Sequence, residues 1–277
     1  MLKVGSLCTG YGGLDMAVEA FFNAETVWCA EFDKHASKLI EQRFNIPNYG
    51  DIKNIDWASI EPIDILTAGY PCQPFSHAGY RKGTDDERHI FPYILEAISI
   101  LRPQWVILEN VRGHLSLGLK EVLAGLTSIG YDARWQVIRA SNAGAPHERA
   151  RIFILAYPNS QSRGVSPSIK DATNTFNIRL TQRNASRHPE GLTRVKDMGL
   201  SATNKRWFNV EMEKQNIPDV LDQNRLNTKF VEYMMGLPVG WVTDTSLSRA
   251  QQLKMLGNGV VPQQAYKALK LLTSVDN

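Results

Sequence analysis

Apolar residues recur along the first 160 positions with two alternating periods, and the alternation predicts an architecture. Short, nearly continuous apolar runs at 3–8, 26–32, 63–68 and 105–111 read as buried strands. Between the first two, Leu14, Ala17, Val18, Phe21 and Phe22 recur at i, i+3, i+4, i+7 and i+8, the stripe of a helix packed on a sheet. Helical patterns also cover 35–44, 90–101 and 120–129. Strands alternating with helices predict βαβ units, and so an α/β fold with a doubly wound, mostly parallel sheet and right-handed crossovers. Two more strand-like runs, 133–140 and 151–157, are separated by little more than Asn142-Ala-Gly-Ala-Pro-His147, which predicts an antiparallel addition to that sheet.

At Pro158 the pattern stops. Ser, Thr, Asn, Arg and Gly dominate to about Lys205 with neither period, as in a separate module, a partly unstructured insertion or a solvated loop. Helical spacing returns at 230–235 and again at 263–272. The expected organisation is a discontinuous domain, 1–157 plus about 250–277, interrupted by a small module over about 158–249.

Composition narrows the class. With 43% hydrophobic and 21% charged residues the chain is globular. It has no apolar run near the roughly 18 residues of a membrane span, and Met-Leu-Lys-Val enters a strand rather than a leader. No membrane partner and an intracellular location are expected. Three cysteines lie far apart without ligand spacing, so neither a disulfide framework nor a metal site is indicated. The net charge of +3 identifies no partner, but its distribution is uneven: residues 157–225 hold eleven Lys/Arg against seven Asp/Glu, or +4, leaving −1 for the rest.

The candidate chemistry sits at the ends of the predicted strands. Cys72 lies in Gly69-Tyr-Pro71-Cys72-Gln73-Pro-Phe-Ser76, and the flanking prolines fix φ and push their preceding residues toward extended backbone. That is a stiff presentation for a thiol, although a lone cysteine is more often a small buried hydrophobe. Gly10-x-Gly12-Gly13, at the first strand-to-helix turn, permits close approach of a ligand or simply a tight packed turn. Glu31 ends the second strand, where doubly wound folds place an acceptor for ribose hydroxyls. Asp51 suits an adenine amino group or an ordinary turn. Glu109 closes a run apolar enough to be a central strand, where burial would raise its pKa and let it donate a proton. Arg149 and Arg151, two apart at the entry to a strand, would share a face, either solvated or as a fork aimed at a carbonyl or phosphate.

Together these stretches resemble the C5-cytosine DNA methyltransferases over almost all of the chain except about 158–220. Leu7-Cys8-Thr9-Gly10-Tyr-Gly12-Gly13 is similar to the family's S-adenosylmethionine-binding motif. The Pro71-Cys72-Gln73 stretch is similar to its nucleophile motif, Glu109-Asn-Val111 to its acid motif and Arg149-x-Arg151 to its target-base motif. Leu226–Pro238 resembles the support of the recognition domain, and Leu256-Gly-Asn258-Gly-Val260-Val-Pro262 the last motif, which returns to the cofactor pocket. The resemblance implies a Rossmann-like methyltransferase fold, S-adenosylmethionine as cofactor and double-stranded DNA as partner. A cognate restriction endonuclease is a candidate second partner, and a monomer is expected.

It also implies roles for residues. Cytosine C5 is a poor nucleophile, but thiolate addition at C6 makes it an enamine carbon able to take a sulfonium methyl group. Cys72 would supply the thiolate, Glu109 a proton or hydrogen bond at N3, and Arg151 a hold on O2, with Arg149 a further catalytic candidate in the same motif. Cofactor contacts would come from the first motif with Leu14, from Glu31 and Phe32, Asp51 and Ile52, Gly69 and Pro71, and from Asn258 and Val260. The target base must be flipped out of the duplex. Gln73, Ser76, Arg81, Lys82 and Arg88 would meet the DNA, within a polar stretch, 76–89, suited to a lid. Two departures stand out: His147 occupies the place of the family's common glutamine, and the recognition segment is short. Rival readings are a tRNA cytosine-5 methyltransferase on the same scaffold and a non-catalytic DNA-binding relative. A nicotinamide dehydrogenase would need a Gly-x-Gly-x-x-Gly turn, which is missing here.

Overall fold

The computed structural model describes residues 1–71, 90–159 and 217–274. Strands β1 (Leu2–Leu7), β2 (Ala24–Ala30), β3 (Ile65–Gly69), β4 (Trp105–Val111), β5 (Tyr131–Ile138) and β6 (Arg151–Pro158) form one sheet in the order β2-β1-β3-β4-β6-β5. The first four are parallel neighbours, while β6 runs antiparallel to both β4 and β5. This is the expected doubly wound sheet with its antiparallel addition. The four parallel strands read as continuous apolar runs because both faces are covered: Val4, Ile65 and Ile107 pack on one side, Leu66, Val106 and Leu108 on the other.

On the first side lie α1 (Gly13–Phe22) and α8 (Pro262–Thr273), which pack against each other. Because α1 is covered by both sheet and α8, even its Asp15 and Glu19 are buried. Each has a hydroxyl partner: Thr67 Oγ1 on β3 donates to Asp15 at 2.5 Å, and Thr26 Oγ1 on β2 to Glu19 at 2.7 Å. Helix α2 (Lys34–Arg43) is capped by Asp33, whose side chain accepts from the amides of His35 and Ala36. Helices α3 (Phe91–Leu101), α4 (His114–Leu117) and α5 (Leu119–Ser128) belong to the other half of the molecule. Phe91, Ile94 and Ile98 of α3 and Val122 and Leu126 of α5 share a core with Leu66, Val106 and Leu108.

From residue 217 onward come the short hairpin β7 (Leu221–Asp222) and β8 (Arg225–Leu226), then α6 (Thr228–Met234) and α7 (Arg249–Asn258). Helix α7 has only a weak apolar stripe, which is why periodicity does not reveal it. Its start is nevertheless written in the sequence as a Ser248-x-x-Gln251 capping box. Residues 231–247, expected in the separate module, pack instead in one core with the first domain. Met235, Leu237, Trp241, Val242 and Leu247 meet Tyr11, Met16, Ala36 and Leu39 there.

The chain turns one way from β1 to β2 and the other way from β1 to β3. Ligands of open α/β sheets sit outside the carboxyl ends of the strands at such a reversal.

Candidate active site

The first wall of that crevice is the turn after β1. Cys8 and Gly10 take φ of 53° and 60°, and Gly12 takes 82°. Its glycines serve different ends. A Cβ on Gly12 would lie 2.2 Å from the Phe44 ring, and one on Gly13 2.1 Å from the Val260 carbonyl oxygen, so these two are needed for packing. A Cβ on Gly10 would meet nothing within 4 Å, so Gly10 faces open space. Its N–H donates to Glu31 Oε2 at 2.9 Å, and Asp33 N–H donates to Glu31 Oε1 at 2.8 Å. Glu31 is 8% exposed, and burial raises its pKa against these hydrogen bonds. Asn48 holds the backbone of Glu31 on both sides, accepting from its N–H and donating to its carbonyl. Next to this acid Phe32 is 76% exposed, an aromatic face offered to solvent or ligand.

Other expected cofactor contacts fall differently. Asp51 accepts from the amide of Lys53 and caps a 3-10 turn, with Ile52 behind it in the core. Leu7 and Leu14 are core side chains as well, so they reach the crevice only with backbone. Asn258 is exposed at the end of α7, while Val260 is buried.

The second wall joins β3 to β4. Gly69 is paired with Glu109 in the register, and a Cβ on Gly69 would lie 3.6 Å from Glu109 Oε2, 3.9 Å from the Cys8 carbonyl and 4.0 Å from Val260 Cγ2. The first motif, the acid motif and the last motif therefore meet over Gly69. Glu109 is 6% exposed, with Arg151 Nε 3.0 Å from its Oε1. Burial pushes its pKa up to about 7 in spite of Arg151 and Arg149 nearby. A carboxyl so placed holds or gives up a proton near neutrality.

Arg149 departs from the fork expected of it. Its φ is 28°, which breaks the alternation that would put residues 149 and 151 on one face. Its Nη2 donates to the carbonyls of Gly257 and Gly259 at 2.8 and 2.6 Å, tying this turn to the end of α7. His147 shares a 2.9 Å hydrogen bond between Nε2 and the Met234 carbonyl, bracing the same turn against α6.

Cys72, Gln73, Ser76, Arg81, Lys82 and Arg88, with the whole 76–89 stretch, lie outside the described residues. The two described cysteines are poor nucleophiles. Burial first, then Glu31 and Asp51, pushes the Cys8 thiol well above its ordinary range, and burial pushes Cys29 up to about 12. Among the described residues no group of three or more His, Cys, Asp or Glu is placed to hold a metal ion, and no helix is long and apolar enough to cross a membrane.

Several supporting residues escape a reading by motif. Tyr11 donates its hydroxyl to the Val260 carbonyl at 2.7 Å and accepts from Trp241 Nε1 through its own carbonyl at 2.9 Å, linking the first and last motifs to the segment after α6. Buried Glu232 accepts from the amides of Gly240, Val242 and Thr243 and from the Thr243 hydroxyl. A glutamate before a Gly/Pro-rich turn is the only local signal for that arrangement.

The family model for C-5 cytosine-specific DNA methylase matches residues 2–217. The type II methyltransferase M.Bsp6I of Bacillus sp. is 38% identical over 167 residues, 57% of this chain and 53% of that protein. M.MspI of Moraxella sp. is 26% identical over 284 residues, 94% of this chain and 67% of that protein. The chain thus spans about half the length of the first of these curated relatives and two thirds of the second. In fold, it is similar to the crystal structure of the S. pombe Dnmt2 methyltransferase, with a TM-score of 0.64 at 17% identity over 100% of both chains. The chain belongs to the C-5 cytosine-specific DNA methylase family.

Proposed function

We propose that the chain methylates C5 of a flipped-out cytosine in a short duplex DNA sequence, with S-adenosylmethionine as donor and Cys72 as the covalent nucleophile. The observation that carries this reading is Glu109: a carboxyl buried at the end of β4, opposite Gly69, ion-paired with Arg151 and titrating near neutrality.

The crevice suits the donor. Gly10 leaves open space, Glu31 has carboxylate oxygens at the strand end, and exposed Phe32 offers a ring for stacking. When bound there, S-adenosylmethionine supplies the electrophilic methyl group that C5 takes. The remaining work falls to the protein. Cys72 adds as thiolate to C6, and the electron pair displaced from the C5–C6 bond is drawn toward N3 and O2. Protonated Glu109 donates to N3 as that charge develops. Arg151 holds O2 and, as Glu109 becomes a carboxylate, neutralises it. Loss of the C5 proton to a base, return of the N3 proton to Glu109 and expulsion of the thiolate then restore the ring. Arg149 serves here as a positioning residue.

The recognition module is assigned to about 158–226, since the following residues pack with the first domain. Its excess of Lys/Arg suits a phosphate backbone. A cognate endonuclease is the partner suggested by relatives named type II methyltransferases.

The test is transfer of a labelled methyl group from S-adenosylmethionine to mixed-sequence duplex DNA and to tRNA, followed by nucleoside analysis, with Cys72→Ala as control. Label as 5-methylcytosine in DNA, absent with Cys72→Ala, is expected. Label in tRNA alone, or a substantial rate without Cys72, would overturn the reading.

A further inference from the structure

The polypeptide leaves β3 through Gly69, Tyr70 and Pro71, and Cys72 follows immediately in sequence. What fixes this exit is therefore of interest for catalysis. Tyr70 is buried, its ring lying 5.9 Å from that of Phe91 on α3 and 5.6 Å from that of His114 on α4, edge-on to the latter at 81°. Its hydroxyl and His114 Nε2 share a 2.9 Å hydrogen bond. Its carbonyl accepts from Asn110 Nδ2 at 3.2 Å. The residue two before the cysteine is thus held at side chain and backbone, and both tethers come from the segment that begins at Glu109.

The neighbourhood is shaped around the imidazole. A Cβ on Gly118 would lie 2.3 Å from the His114 ring, so the residue closing the one-turn α4 is a glycine where the ring needs the room. His114 is 2% exposed, and burial pushes its pKa down to about 4, so the ring is neutral near pH 7. A neutral imidazole and a phenol form one hydrogen bond, and neither is suited to wait unpaired in this core.

The geometry assigns to His114 a positioning role: by holding the Tyr70 ring, it fixes the exit from β3 through which the chain runs on to Cys72. This rests on the reading of Cys72 as the nucleophile and deepens it. Neither ring need touch the base or the donor. The contribution is to orientation, and a displacement of about 1 Å at a reacting atom slows transfer about 100-fold.

The test is single-turnover methyl transfer to duplex DNA by the full chain, with dissociation constants for S-adenosylmethionine and DNA and thermal midpoints taken on the same preparations. Tyr70→Phe and His114→Leu are each expected to slow transfer by ~10- to 100-fold with both dissociation constants unchanged. The double variant should be no slower than the slower single one. His114→Gln, whose amide puts a polar atom near the place of Nε2, should recover most of the rate. Wild-type rates in Tyr70→Phe and His114→Leu, in an enzyme that Cys72→Ala inactivates, would overturn the positioning role and leave the proposed function standing. A rate loss that merely follows a lower thermal midpoint, without recovery in His114→Gln, would overturn it too. Substantial transfer by Cys72→Ala would remove the nucleophile reading itself.

Discussion

Glu109 and Gly69 face each other across the β3–β4 register, and a Cβ on Gly69 would lie 3.6 Å from Glu109 Oε2. The acid is buried, paired with Arg151, and has its pKa raised to about 7 chiefly by burial. If its protonated form donates to N3, the chemical step must weaken as pH rises through that value. Single-turnover rates are expected to show a descending limb near pH 7. Glu109→Gln should remove the limb and lower the plateau by about 10²- to 10⁴-fold. An unchanged limb in Glu109→Gln would show that another group is responsible.

The glycines of the site separate into two classes that mutation can tell apart. Alanine at Gly69 meets its neighbours only at ordinary contact distance, so Gly69→Ala should keep its fold. Its methyl would nevertheless occupy the space between Cys8, Glu109 and Val260, and donor affinity is expected to fall about tenfold or more. Gly13→Ala drives a methyl into the Val260 carbonyl and should destabilise the fold by about 1–3 kcal/mol. Isothermal titration with S-adenosylmethionine and thermal melts on both variants make the comparison.

Glu232 gathers three backbone amides and a hydroxyl into the turn that carries Trp241. Glu232→Ala strands those buried donors and should cost at least about 2 kcal/mol in denaturant unfolding. Because Trp241 donates to the Tyr11 carbonyl in the first motif, donor affinity is expected to drop as well.

Glu19 offers a stability test independent of catalysis. Burial raises its folded-state pKa from 4.5 to about 7, against hydrogen bonds from Thr26. In that interval the folded state binds more protons than the unfolded one, so its contribution is complete below about pH 4.5 and is lost as pH rises through about 7. Glu19→Gln should therefore flatten the decline in unfolding free energy over this window, by at most about 1.4 kcal/mol per pH unit. Equal slopes for wild type and variant would contradict the assignment.

The fold was legible because parallel strands buried on both faces leave continuous apolar runs, and α1, α2 and α3 leave a 3.6-residue stripe between them. Glu109 was legible for a related reason: a carboxylate at the end of such a run must be compensated or protonated. Other features are set by tertiary contacts that no local pattern records. Arg149 and Arg151 look like a same-face pair, yet a positive φ at Arg149 sends its guanidinium to the carbonyls of Gly257 and Gly259, more than a hundred residues away. Gly12 and Gly13 look like part of a ligand turn, yet Phe44 and Val260 are what require them. The boundary expected near 249 lies well past the compositional change, which ends near Lys205. Composition does not show that Trp241 and Leu247 share a core with Tyr11 and Met16.

The central claim is a covalent bond between Cys72 and cytosine C6, completed by loss of the C5 proton. Fluorine at C5 cannot leave as a cation, so a duplex carrying 5-fluorocytosine at the recognised position should take the methyl group and then remain attached. Mass spectrometry of the digested complex is expected to find the nucleotide on the peptide containing Cys72, and to find no complex with Cys72→Ala. Efficient methylation of ordinary DNA with no trapped species on the fluorinated duplex would contradict the account.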